Sequence, residues 1–532
     1  MYPGEHATTR PDQPCFVMAE TGETVTYREY ETRTNRLAHL LRDHGFGRLG
    51  HYSIFMENNS RYLETCGAGQ RPGLYYTCIN SHLTADELAY IVNNSESRAL
   101  ITSRSKRDVA LEALAQCPDV SLCLIVDGTG DAGPFVDYAT AVAEYPATPI
   151  ADERLGTPML YSSGTTGRPK GIVRDLPDVP PSEPLALFTF LEKLWRYRVG
   201  MVYLSPAPLY HSAPQAAVGL TIHVGGTAII IEHFDPEQYL ALVERFRVTH
   251  SQLVPTMFSR MLKLPDEVRN RYDLSSLEVA VHAAAPCPVP VKEQMIDWWG
   301  PIILEYYGAT EAIGFTACDS AEWLTHKGTV GRVLMGELHI LDDELIECPS
   351  GTPGTIWFKS PAPVQYFNDE AKSREATSPD GSLCTVGDVG YVDDDGYLYL
   401  TDRKTFMIIS GGVNIYPQEC ENLLITHPKV ADAAVFGVPN ADLGEEVKAV
   451  VQPMSDIEPG PDLERELIEF CRVHLARHKC PRSIDFDPQL LADSARQVHV
   501  KADKLAFGVD GFVGGVIRRR ADNEFTALLN LT

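Results

Sequence analysis

The chain has 532 residues, 44% of them hydrophobic and 22% charged, with a formal net charge of -26. This length exceeds what one hydrophobic core organises and predicts at least two domains. The acidic balance excludes a nucleic-acid face built on clustered lysine and arginine, since the one compact basic run is Arg518, Arg519 and Arg520 near the end. The twelve cysteines form no CxxC pair, which argues against a zinc site or a disulfide framework and for buried thiols in a reducing cytoplasm. The opening MYPGEHATTRPDQPCF lacks the basic-then-apolar order of a secretory signal. No apolar run reaches bilayer-spanning length. The expectation is a cytoplasmic protein with no membrane span.

In chain order, HYSIFMENN reads as a strand and turn, and TADELAYIVNN as a helix capped by Thr84 with Glu87 three residues on. RALITS, SLCLIVDG and GTAIIIEHF read as short buried strands, and QYLALVERFRV as an amphipathic helix. PDVPPSEP, residues 177–184, is a proline-rich surface loop. VAVHAAAP is a strand running into a loop. Such alternation predicts mostly parallel sheets covered by helices. After about residue 380 the texture changes. GYVDDDGYLYLTD reads as a hairpin. RKTFMIISGGVNIYPQECENLLITHPKV then reads as strand, glycine turn and helix, followed by the strands VADAAVFGVP and EEVKAVVQP and the helix LERELIEFCRVHLARH. The predicted class is α/β: a large N-terminal domain of mostly parallel sheets, residues 1–403, and a small mobile α+β domain, residues 404–532.

One loop stands out. YSSGTTGRPKGI, Tyr161 to Ile172, packs three glycines, four hydroxyls (Ser162, Ser163, Thr165, Thr166) and the cations Arg168 and Lys170 into one short stretch. Glycines such as Gly164 let backbone N–H groups approach an anion closely, and hydroxyls and cations complete a phosphate cradle.

The order of residues in this loop resembles the signature of the adenylate-forming superfamily, and further segments resemble it along residues 20 to 488. By that resemblance PLYHSAP places His211 beside the substrate carboxylate. HAAAPCP places Ala284 and Ala285 on the adenine pocket. EYYGATE gives Tyr307 for adenine stacking, Thr310 for phosphate and Glu311 for magnesium, with Gly308 and Ala309 leaving room for a bulky acyl group. CTVGDVG supplies Asp388 and TDRKTFMI supplies Arg403, both for the ribose. Gly411 and Gly412 lie in the loop that enters the site for thioester formation. Thr405, followed by Phe406, stands at the hinge where the family has Asp or Lys followed by an acidic residue. The texture around FMIISGGVNIYPQE and HKCPRS resembles the acyl-CoA ligase branch most. The implied substrates are ATP or an acyl-AMP, coenzyme A and a hydrophobic carboxylic acid, with Mg2+ assisting.

The resemblance stops in QLLADSARQVHVKADK, residues 489–504, the start of an atypical tail. The family carries a run like Arg-Thr-x-x-Gly-Lys here, whose lysine serves adenylation. Gln497 falls near its place; Lys501 and Lys504 are close but follow no glycine. Written in G+C-rich codons and read one base later, residues 491–498 give Trp-Arg-Thr-Ala-Arg-Gly-Lys, which contains the expected run. Three readings stand at this point. One is a thioester-forming enzyme that is weak in adenylation and fed by a separate adenylating enzyme. The second is a complete ligase using Lys501 or Lys504. The third is a catalytically dead acyl-adenylate-binding protein.

Overall fold

The computed structural model describes residues 2–128, 133–162, 169–183, 185–360, 364–403, 406–440 and 442–488. A nine-stranded sheet and a six-stranded sheet form the body of the large domain. The six-stranded sheet is parallel throughout, with His51–Phe55 between Tyr75–Cys78 and Ala99–Ser103. All five residues of His51–Phe55 are buried, as befits a strand covered on both faces. The helix Ala85–Asn94 begins at the predicted capping box, with Thr84 and Glu87 each satisfying the other's backbone N–H. A second box at Thr26 and Glu29 starts the helix Tyr27–Asp43. Leu37 of that helix and Val218 of the helix Ser212–Val224 lie in one core with Tyr52 and Tyr76 from the six-stranded sheet and Tyr203 and Phe315 from the nine-stranded sheet.

In the nine-stranded sheet Val202–Ser205, His250–Leu253, Val279–His282 and Ile303–Gly308 run parallel side by side. Their carboxyl ends therefore open on one edge, where ligands bind in open α/β sheets. The segments leaving that edge are those holding His211, Ala284–Ala285 and Gly308–Glu311. The hairpin Asp388–Val392 and Leu398–Arg403 belongs to a four-stranded antiparallel sheet with Glu337–Leu341 and Gly354–Lys359. Among the described residues no helix is long and apolar enough to cross a membrane.

The small domain is a five-stranded sheet packed against the helices Pro417–Thr426 and Pro461–His474. Leu424, Val435, Ala449, Leu467, Cys471 and Ile484 form its core. It touches the large domain along the helix Pro255–Leu262. A cavity of about 530 Å³ runs along this seam, between Pro288, Val289 and Trp323 on one side and Leu423 and Phe470 on the other.

Beneath the sheet edge lies a buried charged group. Lys292 pairs with Glu305 in full burial, over the ring of Trp323 at 4.7 Å. His282 Nε2 is 3.4 Å from the same carboxylate. Burial works to raise the Glu305 carboxyl, and His282 and Lys292 outweigh it, leaving it below the usual range. The trio joins the end of one site-bearing strand to another. Removing one partner of such a pair leaves a bare buried charge. Lys292→Met is therefore expected to destabilise the large domain by about 3–5 kcal/mol, and Lys292→Met/Glu305→Met to recover most of it, read as thermal unfolding midpoints.

Candidate active site

The strands Leu160–Ser162 and Lys170–Ile172 pair antiparallel, with Ser162 opposite Lys170. They bring together the two ends of the glycine-rich loop. Ser163, Gly164, Thr165, Thr166 and Arg168 lie outside the described residues, as do Thr405, Gln497, Lys501 and Lys504.

Tyr366 meets this ribbon through a bridge to Ile172, and Phe367 N–H donates to the Gly171 carbonyl at 2.8 Å. That pairing seats the Tyr366 ring under the Lys170 ammonium, 4.9 Å from the ring centre. The phenol O–H donates to Glu311 Oε1 at 2.9 Å. Arg174 donates to the carbonyl of Thr310, and its own carbonyl accepts from Tyr75 O–H at 2.6 Å. Lys170, Arg174, Thr310 and Glu311 thus form one cluster. The Glu311 carboxylate and the neighbouring Thr310 hydroxyl are hard oxygen donors of the kind that suits magnesium bound with phosphate oxygens.

A second cluster centres on Asp388, which is 8% exposed. Asp388 stands opposite Arg403 in the hairpin. Its Oδ1 accepts from Arg403 Nε at 3.0 Å and its Oδ2 from the Tyr307 O–H at 2.8 Å. Burial and the neighbouring carboxylate push the Tyr307 phenol well above its ordinary value, so it stays a neutral donor. One face of Tyr307 lies along Phe358, ring centres 6.4 Å apart and 27° from parallel.

His211 is the residue before the helix Ser212–Val224, exposed, with its ring 4.5 Å from that of Tyr210. Ala284 takes a left-handed backbone, φ +75°, which Cβ sterics disfavour and which marks a shaped loop before the partly buried Ala285. A Cβ on Gly308 would lie 3.2 Å from the ring of Phe315. Phe315 in turn stacks on Tyr306 at 5.0 Å, and Trp195 lies 5.7 Å from Tyr306. Gln252 Nε2 donates to the Tyr306 hydroxyl at 2.9 Å. Ala309 accepts from Ala312 N–H at 2.9 Å, closing the turn that holds Thr310 and Glu311.

The structure does not gather Gly411 and Gly412 with these groups. They are the two central residues of a hairpin, with Ser410 paired to Val413. Both have positive φ, +57° and +80°, as a tight hairpin turn requires. The turn is exposed, and Ile409 and Val413 beside it are 52% and 45% exposed. Sequence reading expected one strand and a glycine turn before the helix; the chain instead folds back into the strand Val413–Ile415.

Arg174, Tyr366 and the aromatic group of Trp195, Tyr306 and Phe315 were not picked out from the sequence. Arg174 alone carried a signal, as a cation four residues past Lys170.

Two outcomes follow from this geometry. Asp388→Asn keeps the shape but loses a charge that two donors share. A hydrogen bond to a charged group contributes about 1.5–3 kcal/mol, so AMP affinity by calorimetry is expected to fall on the order of 10- to 100-fold, with Tyr307→Phe costing less. The Lys170 ammonium is the second case. Burial, then Lys372, pull it below the usual lysine range, against Glu311, Glu375 and Asp369. If Lys170 holds the outer phosphates, pyrophosphate affinity of the free protein is expected to be present while Lys170 is charged and to be lost as pH rises through the lowered value. In titrations across alkaline pH, Lys170→Arg should abolish this limb, and Lys170→Ala should weaken ATP far more than AMP.

Comparison with known proteins adds to the geometry. The sequence pattern described as AMP-binding enzyme matches residues 4–366, and that described as AMP-binding enzyme C-terminal domain matches residues 419–492. The chain is 32% identical over 482 residues to a feruloyl-CoA synthase of Amycolatopsis sp, covering 88% of this chain and 91% of that one. It is 28% identical to the long-chain-fatty-acid–CoA ligase FadD13 of Mycobacterium tuberculosis, covering 91% and 93%. The crystal structure of ATP-bound MatB from Rhodopseudomonas palustris superposes with a TM-score of 0.73 at 26% identity, covering 96% of this chain and 100% of that one.

Proposed function

The chain belongs to the AMP-binding enzymes, in their acyl-CoA ligase branch, and from that premise we propose that it makes the coenzyme A thioester of a hydrophobic carboxylic acid from the acyl-adenylate while adenylating poorly. The observation that carries this is in the C-terminal segment. The family pattern ends at residue 492, inside QLLADSARQVHVKADK, where no Gly-Lys pair occurs.

Adenylation joins a carboxylate oxygen to the α-phosphorus of ATP and expels pyrophosphate. Two anions have to meet, in a protein whose formal net charge is -26. Lys170 and Arg174 face the outer phosphates, and Glu311 with Thr310 would hold Mg2+, which screens those charges when bound. The remaining cation, at the carboxylate and α-phosphate, is the one the tail no longer supplies. Losing one preorganised donor to a transition state costs on the order of 100- to 1,000-fold in rate, and a full charge in a low-dielectric cleft costs more.

Thioester formation makes a smaller demand. The thiol sulfur attacks the acyl carbon, the thiol proton is lost, and AMP leaves with the electrons of the broken C–O bond. Tyr307, Asp388 and Arg403 hold the AMP portion. Ala284 and Ala285 border the adenine, and His211 lies by the acyl carbon. The small domain turns at Thr405 to bring Gly411 and Gly412 to the thiol path. Gly308 and Ala309, with the aromatic group at Trp195, Tyr306 and Phe315, favour a hydrophobic acid. The acyl-adenylate then comes from a separate adenylating enzyme.

A paired assay tests this reading. Labelled pyrophosphate should exchange into ATP near background with a panel of acids, while synthetic acyl-adenylates plus coenzyme A should give the CoA esters. Restoring Arg-Thr-x-x-Gly-Lys by a one-base change near the codon of Leu490 should recover exchange by at least ~100-fold, the worth of one such donor. Robust exchange in the unmodified protein would overturn the reading and assign the charge to Lys501 or Lys504. Failure of both reactions would leave a binding protein.

A further inference from the structure

The family match and the site assign nothing to the face on which the small domain rests. That contact is polar and concentrated. The Lys263 ammonium, at the end of the helix Pro255–Leu262, donates to the carbonyl of Ile425 at 2.8 Å and to that of Val430. Ser259 O–H, from one turn earlier, donates to the same Ile425 carbonyl at 3.3 Å. Ile425 lies in the last turn of the helix Pro417–Thr426, where carbonyls have no partner within the helix and the helix dipole is negative. Ser259, Ile425 and Val430 are all buried, and Asp432 adds its charge from the small domain. Next to this point the seam is not close-packed but opens into the cavity between Val289, Trp323, Leu423 and Phe470. The polar contacts at Lys263 and Ser259 thus sit at the edge of this cavity, where apolar packing between the domains is incomplete.

In this same orientation the Gly411–Gly412 turn stands in solvent. From these two facts we infer that Lys263, with Ser259, is a positioning residue that selects the turn-outward orientation of the small domain by capping the helix that ends at Thr426. The consequence for catalysis rests on the reading above: the Lys263 contact has to break before the glycine turn reaches the thiol path. Lys263 sets the balance between the two orientations without touching substrate.

The test reads orientation and chemistry separately. Spin labels go on Leu324 and Val473, which are 44% and 71% exposed and sit on opposite sides of the seam, through introduced non-cysteine handles. Lys263→Met removes a charged donor from two carbonyls, a loss of about 1.5–3 kcal/mol. A second distance population should appear or grow by ~10-fold or more. Lys263→Arg, which still donates to carbonyls, should keep the wild-type distribution, and Ser259→Ala should shift it slightly. In parallel, Lys263→Met should raise the rate of CoA-ester formation from supplied acyl-adenylate relative to Lys263→Arg, with AMP affinity unchanged. Unchanged affinity for AMP also shows that the large domain is intact. An unaltered distance distribution in Lys263→Met overturns the inference. A shifted distribution with no CoA ester from any of the proteins upholds the positioning role and removes the functional reading instead.

Discussion

The arrangement of this molecule turns on the Asp388 carboxylate. It sits at the start of one hairpin strand, accepts from Tyr307 at the end of a strand of the nine-stranded sheet, and accepts from Arg403 at the last described residue before the small domain. Two sheets, the nine-stranded one through Tyr307 and the four-stranded one through Arg403, thus share one charge. A carboxylate that is 8% exposed needs such donors, because its desolvation is costly. The donors in turn are held in place by the carboxylate they share. Displacing any one of the three loosens the other two.

Charge is the second theme. The chain as a whole repels anions, yet Lys170 and Arg174 gather around Glu311. Local geometry offsets the global field because each cation is fixed by a neighbour. Lys170 lies over Tyr366, and Arg174 is tied to the Thr310 carbonyl. Glu311 is oriented by Tyr366 rather than by a cation. One carboxylate oxygen is thus committed to the Tyr366 hydroxyl.

How much of this was legible depends on sequence distance. The capping box at Thr84 and Glu87 spans three residues and obeys local chemistry, so sequence reading located it. The parallel sheets follow from alternating buried strands and helices. Tyr307, Asp388 and Arg403 were legible as separate motif residues, but their shared hydrogen bonds were not. Other contacts have no local signature at all. Tyr366 reaches Glu311 across 55 positions, Arg174 reaches Thr310 across 136, and Lys263 reaches Ile425 across 162. Such pairs exist because the sheet order brings chain ends together, and order is a property of the whole fold. The glycine pair was legible as a turn, yet its return strand depends on pairing between Ile408 and Ile415, which periodicity over three residues does not reveal.

The exposed tip of that hairpin has a thermodynamic consequence. Ile409 and Val413 hold about half of their surfaces in water. Any rotation that seats the tip in the cleft removes apolar area from solvent and so lowers the heat capacity of the protein. Apolar association strengthens on warming from low temperature. The balance between the two orientations would then drift with temperature, the covered form gaining ground as the solution warms and the open form being favoured in the cold. A domain movement described in angles would show itself in a calorimeter as curvature.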